Sequence, residues 1–264
     1  MQEAWDFKDE SDAIAAVLDG KTETDFETVT LFKNWTIKDI IGHLHLWNIA
    51  ADLTLNKPEE FMEFVTEKMS LLMQGKSHPE LQEEVFKGKS GLDIYDEWKA
   101  YYPEMAERFA KADPDHRVKW AGPDMSVLSC IIARQMENWA HAQAIFDVFG
   151  LDRVDTDRLK NVAHIGVTTY SWSFKVRGEE PILPKPYVRL TAPSGAIWEW
   201  NEPQDDNKVE GSATEFSQVV TQTRNVGDTG LTLIGEAATT WMNNAQCFAG
   251  GAETPPVKGA RRKA

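Results

Sequence analysis

The chain has 264 residues, enough for one large domain or two smaller ones with a sizeable core. The formal net charge of −14 repels the phosphate backbone of nucleic acids and the headgroups of anionic lipids, so we expect no nucleic-acid partner and no membrane partner. The first residues lack the basic and apolar parts of a secretory signal. Cys130 and Cys247 lie in apolar helical patterns, and buried thiols of this kind indicate a cytoplasmic location.

Helical periodicity dominates the chain as far as residue 150. Thr36 and Asp39 have the spacing of a capping box, and Pro58 suits the first turn of the next helix. Ser126 can cap the most apolar segment, which Gly150 ends. The predicted helices cover residues 11–18, 36–56, 58–73, 92–112 and 126–150, with a short helix or a loop over 76–90. Four long helices with moderate connections predict a bundle.

Beyond residue 155, short strands are interspersed with helices. The alternating runs 187–191 and 196–200 are joined by Pro193-Ser194-Gly195, which predicts a β-hairpin. The other predicted elements are helices over 157–176, 213–224 and 237–249 and a strand over 231–234. We therefore expect a four-helix domain over residues 1–155, a small mixed α+β domain over 156–251 and a disordered tail over 252–264.

Glu137 and His141 lie four residues apart in the most apolar predicted helix, so their side chains point the same way, one turn apart. His43 lies on the inner face of another apolar helix. Two imidazoles and a carboxylate that converge inside a bundle would hold zinc or another divalent metal ion and leave a position for water or substrate. Such an ion acts as a Lewis acid and lowers the pKa of a bound water or thiol to about 7.

A purely structural interpretation competes with this metal site. A histidine on an apolar helix face is commonly a hydrogen-bonded core residue, and Glu137 could pair with Arg134 or Lys160 instead. The metal interpretation needs His43, Glu137 and His141 to meet in space. Their placement on the inward faces of two long helices favours that interpretation.

The other histidines give no comparable signal. His45 is two residues from His43, so on a helix it points roughly the opposite way and is expected to be a packing residue. His78 and His116 lie in polar segments that contain proline, and we expect both to be solvated. Nothing in the sequence selects His164 for a role.

Two motifs carry a family resemblance: Trp35-Thr-Ile-Lys-Asp-Ile-Ile-Gly-His43-Leu and Glu137-Asn-Trp-Ala-His141-Ala-Gln. Together they resemble the DinB-like metal-binding superfamily, and most closely its mycothiol-dependent maleylpyruvate isomerase group. That group is similar to this chain in domain order too, because a four-helix metal-binding domain precedes a small α+β domain. The resemblance implies that His43, Glu137 and His141 hold a zinc-like ion and that a low-molecular-weight thiol is the cosubstrate.

The resemblance extends into the C-terminal half. Residues 209–250 look like the second domain of those isomerases, in which an arginine helps to bind the anionic substrate, and Arg224 is the matching residue. A surface residue at a helix end is the competing interpretation of Arg224. Family members often carry an acid three residues after the second ligand histidine, whereas this chain has Ala144 there and Asp147 as the nearest acid. In this chain, a ligand-orienting role of that acid would therefore pass to another residue or be absent.

We therefore expect a metal-dependent enzyme, a thiol-dependent transferase or isomerase that acts on a small anionic or unsaturated substrate through a metal-activated thiolate. Trp47, Asn48, Trp139 and Arg224 are candidate pocket residues. One alternative is a hydrolase or hydratase that uses metal-bound hydroxide, and another is a non-catalytic ligand-binding metalloprotein. A non-haem iron oxygenase ranks last, because its two histidines and carboxylate more usually lie on β-barrel strands.

Overall fold

The computed structural model describes residues 1–263, which divide into two compact units, the first over residues 1–145 and the second from residue 146 onward. The domain limits expected from the sequence, 1–155 and 156–251, stay predictions. Within the described residues, no helix has both the length and the hydropathy that a membrane-spanning segment needs. The expected combination of a helical bundle with a mixed α+β unit is confirmed.

The first unit is built from helices joined by short connections. They are α1 (Gln2–Leu18), α2 (Glu23–Phe26), α3 (Ile37–Asn56), α4 (Pro58–Met73), α5 (His78–Val85), α6 (Gly91–Lys111) and α7 (Val127–Val148), which continues past the unit boundary. A two-residue hairpin, β1 (Arg117–Val118) with β2 (Met125–Ser126), precedes α7. The predicted capping box is confirmed, because Thr36 accepts from the Asp39 amide and Asp39 accepts from the Thr36 amide.

The four long helices α1, α3, α6 and α7 form the bundle. Helix α6 packs against both α1 and α3, and α4 and α5 lie along α3. Helix α7 closes the arrangement through buried polar contacts, since Asn138 donates to the Ser11 hydroxyl on α1 and Arg134 donates to Asn48 on α3. Most side chains of α3 are buried. This burial explains why apolar residues follow one another so closely in its sequence.

The second unit packs short helices on a mixed sheet. Its helices are α8 (Lys160–Thr168), α9 (Tyr170–Lys175), α10 (Ala213–Val220) and α11 (Glu236–Asn244), and its strands are β3 (Tyr187–Thr191), β4 (Ile197–Trp200), β5 (Lys208–Ser212) and β6 (Thr232–Ile234). The strand order is β4-β3-β5-β6, with β3 and β5 parallel and the other neighbours antiparallel. The predicted hairpin, now β3 and β4, is confirmed, with Val188 paired to Trp200.

Several predicted helices of this unit are too long. The helix expected over 157–176 is interrupted between α8 and α9, where the Thr168 and Thr169 hydroxyls donate back to carbonyl oxygens one turn earlier. Helix α10 ends at Val220, and Gln222 then adopts a left-handed φ of 55°. In the segment expected to be a tail, Pro256 accepts a hydrogen bond from Asn225 and Arg261 donates to the Gln222 carbonyl.

Candidate metal centre

His43, Glu137 and His141 meet inside the bundle of the first unit. Each offers one ligand atom, and these atoms all lie within 4.8 Å of one another. Both imidazoles point their Nε2 atoms at the same carboxylate oxygen, Oε2 of Glu137, at 3.5 Å from His43 and 3.2 Å from His141. His43 comes from α3, whereas the other two residues lie one turn apart on α7.

The separations suit a small tetrahedral cation. Nitrogen and oxygen ligands of zinc lie about 2.0–2.2 Å from the ion, so ligand atoms that share a tetrahedral shell are about 3.3–3.5 Å apart. The two nitrogen-to-oxygen distances in this site lie at or close to that range. The donor set of two imidazoles and one carboxylate therefore fits zinc or a similar divalent ion.

Burial and hydrogen bonding set the protonation of this group. Burial opposes ionisation of Glu137, but the hydrogen bonds from His141 and His43 outweigh it and hold the pKa of the carboxyl well below its usual range. Burial lowers the pKa of His43 to about 3, even though Glu137 favours the protonated form. At neutral pH the carboxylate is thus ionised and the His43 imidazole is neutral, which are the forms that ligate metals.

Arg134 connects the two helices that carry these three residues. It lies one turn before Glu137 on α7 and is 2% exposed. Its guanidinium donates to Asn48 Oδ1 at 3.1 Å and to the Leu44 carbonyl at 3.3 Å, so it ties α7 to the part of α3 that carries His43. Lys160, the other partner considered for Glu137, lies over the ring of Trp198.

Aromatic rings lie against the two imidazoles of the candidate site. Trp35 stacks on His141 with ring centroids 5.7 Å apart, and its centroid lies 5.3 Å from that of His43. Phe32 meets His141 edge-on at 4.9 Å. A tight turn carries both aromatic residues, because Lys33 and Asn34 between them adopt left-handed φ values of 51° and 58°. Aromatic surface therefore flanks both imidazoles of the site, whereas the Glu137 side chain is 21% exposed.

The structure places a further histidine at this site. The expectation that His78 is solvated is wrong: the residue is half-buried at the start of α5, and its ring centroid lies 5.3 Å from that of His43 and 6.1 Å from that of Trp35. Its neighbours belong to distant parts of the sequence, so no local pattern indicates the contact. His116 is exposed, as predicted. His45 is buried and stacks on Phe86, which agrees with the packing role expected for it.

The candidate pocket residues fall into different environments. Trp47 is buried beside His43, with ring centroids 6.4 Å apart, whereas Asn48 is buried and accepts the hydrogen bond from Arg134. Trp139 is fully buried in the bundle. Cys130 is buried as well, and burial raises the pKa of its thiol to about 12.

Arg224 belongs to the second unit. It follows α10 and donates to the Asp147 carboxylate at 2.5 Å, and both side chains are largely buried. It is therefore not the exposed helix-end residue of the competing interpretation. Asp147 is thus the partner of Arg224. It is the acid nearest to Ala144, the position at which family members often carry a carboxylate.

Comparisons with known proteins agree with the expected family. The family model for the mycothiol maleylpyruvate isomerase N-terminal domain matches residues 7–146. Two curated relatives, both uncharacterized proteins from strains of Mycobacterium tuberculosis, are 31% identical over 255 residues, which is 96% of this chain and 96% of theirs.

Two solved structures are similar to this chain at low sequence identity. A crystal structure of the mycothiol-dependent maleylpyruvate isomerase is 16% identical, with a TM-score of 0.49 and coverage of 88% of this chain and 91% of that one. A mutant of that isomerase with one histidine changed to alanine is 15% identical, with a TM-score of 0.50 and coverage of 83% and 87%. The match to the N-terminal domain, together with the full-length relatives, confirms the resemblance predicted from the two motifs. The chain belongs to the mycothiol maleylpyruvate isomerase N-terminal domain family.

Proposed function

We propose that this protein is a metal-dependent enzyme that uses a low-molecular-weight thiol, such as mycothiol, to isomerise or modify a small anionic, unsaturated substrate of the maleylpyruvate type. The single observation that carries the proposal is the convergence of His43, Glu137 and His141 on one point of the bundle, in a chain that belongs to this family. An i, i+4 pair from one helix and a third ligand from its neighbour supply three ligands of a catalytic shell.

The charge balance of the candidate metal site favours an anionic substrate. A divalent ion held there would supply a Lewis acid that favours the thiolate form of a nearby thiol. Imidazoles bind a metal ion in their neutral form, so the Glu137 carboxylate would offset one of the two positive charges of the ion. The positive charge that remains would attract an anion. Trp35 and Phe32 cover part of the His141 ring, and partial removal of a site from water strengthens the charge interactions within it.

The attacking thiol is supplied by a cosubstrate in this proposal. Cys130, a cysteine of the bundle, is buried, and its raised pKa of about 12 keeps it protonated at neutral pH. Arg224 is the proposed contact for the anionic group of the substrate, because a guanidinium matches a carboxylate with two parallel hydrogen bonds. That role rests on the family resemblance.

Turnover of maleylpyruvate by the zinc-loaded protein, with and without mycothiol, tests the proposal. We expect turnover that requires the thiol, and we expect His43→Ala to abolish it while the helix content measured by circular dichroism stays unchanged. His116→Ala, at the exposed histidine, is the matched control and should behave like the wild type. Equal turnover without any thiol would contradict the proposal and favour a hydrolase or hydratase.

A further inference from the structure

His78 contributes a third imidazole to the surroundings of the metal centre. Its ring stands nearly perpendicular to that of His43, at 82°, with the centroids 5.3 Å apart. The ring of Trp47 lies 6.5 Å from that of His78 and 6.4 Å from that of His43, between centroids. Among the rings near His43 in the described residues, the Trp35 and Trp47 rings are indoles. The His141 ring belongs to one of the three proposed metal ligands. His78 is the imidazole outside the ligand group.

The local structure holds His78 in this place. Ser77 caps α5 through a capping box with Glu80, which fixes the first turn that His78 begins. Helix α5 packs along α3, where Gly42 offers no side chain. The Gln82 side chain of α5 reaches this glycine, because a Cβ atom built at Gly42 would come within 2.5 Å of Gln82 Oε1, so α5 lies close to α3 immediately beside His43.

We propose that His78 binds the sulfur of the thiol cosubstrate, donating an imidazole N–H hydrogen bond to the thiolate as it lies beside His43. The inference rests on the proposed function and extends it to a residue outside the three ligands. His78 is half-buried, so part of its side chain faces solvent, whereas the neighbouring His43 is buried. A neutral imidazole always carries one N–H group, and a hydrogen bond to an ionised acceptor is stronger than one between neutral groups.

A spectroscopic titration measures this contact without relying on turnover. The metal-free full-length protein is loaded with one Co²⁺ per chain and titrated with 2-mercaptoethanol, and the sulfur-to-cobalt absorption band in the near ultraviolet reports thiol binding. The variants are His78→Phe, which keeps a ring but has no donor, and His78→Gln, which restores an N–H donor. His116→Phe is the matched control at the exposed histidine.

We expect His78→Phe to weaken 2-mercaptoethanol binding about tenfold, as the loss of one hydrogen bond to a charged group predicts. His78→Gln should recover most of that loss, and both variants should hold one Co²⁺ per chain. Should His78→Phe fail to fold, His78→Ala gives the same comparison with a smaller side chain.

Two results would overturn the inference while leaving the proposed function intact. Unchanged thiol affinity in His78→Phe would reduce His78 to a packing residue. Loss of cobalt from both His78→Phe and His78→Gln would make His78 a metal ligand instead of a thiol contact. If the wild-type protein takes up no metal at all, the proposed function itself is wrong, and the inference falls with it.

Discussion

The indole of Trp35 lies nearly parallel to the imidazole of His141, with the two ring planes at 6° and their centroids 5.7 Å apart. Phe32 meets the same imidazole edge-on. Together the two rings restrict rotation of the His141 side chain and keep its Nε2 atom directed at Glu137. A ligand that is already oriented loses little conformational freedom when a metal binds, which favours tight binding.

Replacing the stacked indole should therefore weaken metal binding. Groups that orient ligands typically contribute about 10- to 100-fold to metal affinity, so we expect Trp35→Leu to bind zinc about tenfold more weakly than the wild type. Trp35→Phe keeps an aromatic face and should stay within about threefold of the wild type. Competition with a chromophoric chelator measures both constants. Equal zinc affinity in Trp35→Leu and the wild type would show that the stacking does not orient His141.

Arg134 is expected to stabilise the bundle as well as the site. Arg134→Met leaves the buried Asn48 amide oxygen without its donor, and such an orphaned group costs about 1–3 kcal/mol. Urea unfolding of the metal-free protein measures the loss, with the exposed Arg262→Met as the control. A stability equal to that of the control variant would mean that the contact between α7 and α3 does not depend on this guanidinium.

The stability of the metal-free protein should rise with pH because of His45. Burial lowers the pKa of His45 to about 4, whereas an unfolded histidine titrates near pH 6.5. Between these values the unfolded chain binds the additional proton, so the contribution of His45 is complete above about pH 6.5 and is lost as pH falls towards about 4. The free energy of unfolding should change by at most roughly 1.4 kcal/mol per pH unit for this one group.

A comparison with His45→Gln isolates that effect. The variant should have a flatter pH profile than the wild type between pH 4 and 6.5, measured by urea unfolding at several pH values. Parallel profiles would indicate that His45 is protonated equally in the folded and unfolded chains.

Arg224 and Asp147 should be coupled energetically. Their side chains are 16% and 11% exposed, so both charges are largely removed from water and each helps to compensate the other. A double-mutant cycle with Arg224→Met and Asp147→Asn should give a coupling energy of about 0.5–3 kcal/mol. Additive effects of the two substitutions would contradict an ion pair in solution.

Sequence patterns predicted most of the bundle because its helices begin and end at residues with specific chemistry. The capping box at Thr36 and the proline at the start of α4 gave boundaries that match the structure. The i, i+4 spacing of Glu137 and His141 indicated a shared direction, and an apolar face indicated that His43 points inward. These local rules favoured a shared site, whereas the meeting of the three side chains in space depends on how α3 and α7 pack.

Contacts between distant segments could not be predicted in the same way. His78 lies in a polar segment whose sequence is equally suitable for a solvated loop, and its position depends on how α5 packs at Gly42. Strand β5 has no counterpart among the predicted strands, because Val209 is its single fully buried residue and no alternation of apolar side chains marks it. The partner of Arg224 likewise depends on the tertiary fold of the second unit.

The metal content of the purified protein tests the central claim most directly. Protein prepared without chelators and analysed by mass spectrometry for metals should hold one zinc or similar divalent ion per chain. His43→Ala and Glu137→Gln should hold almost none, whereas His116→Ala should retain the full amount. A wild-type protein without metal, or a His43→Ala variant that keeps one ion per chain, would contradict the account.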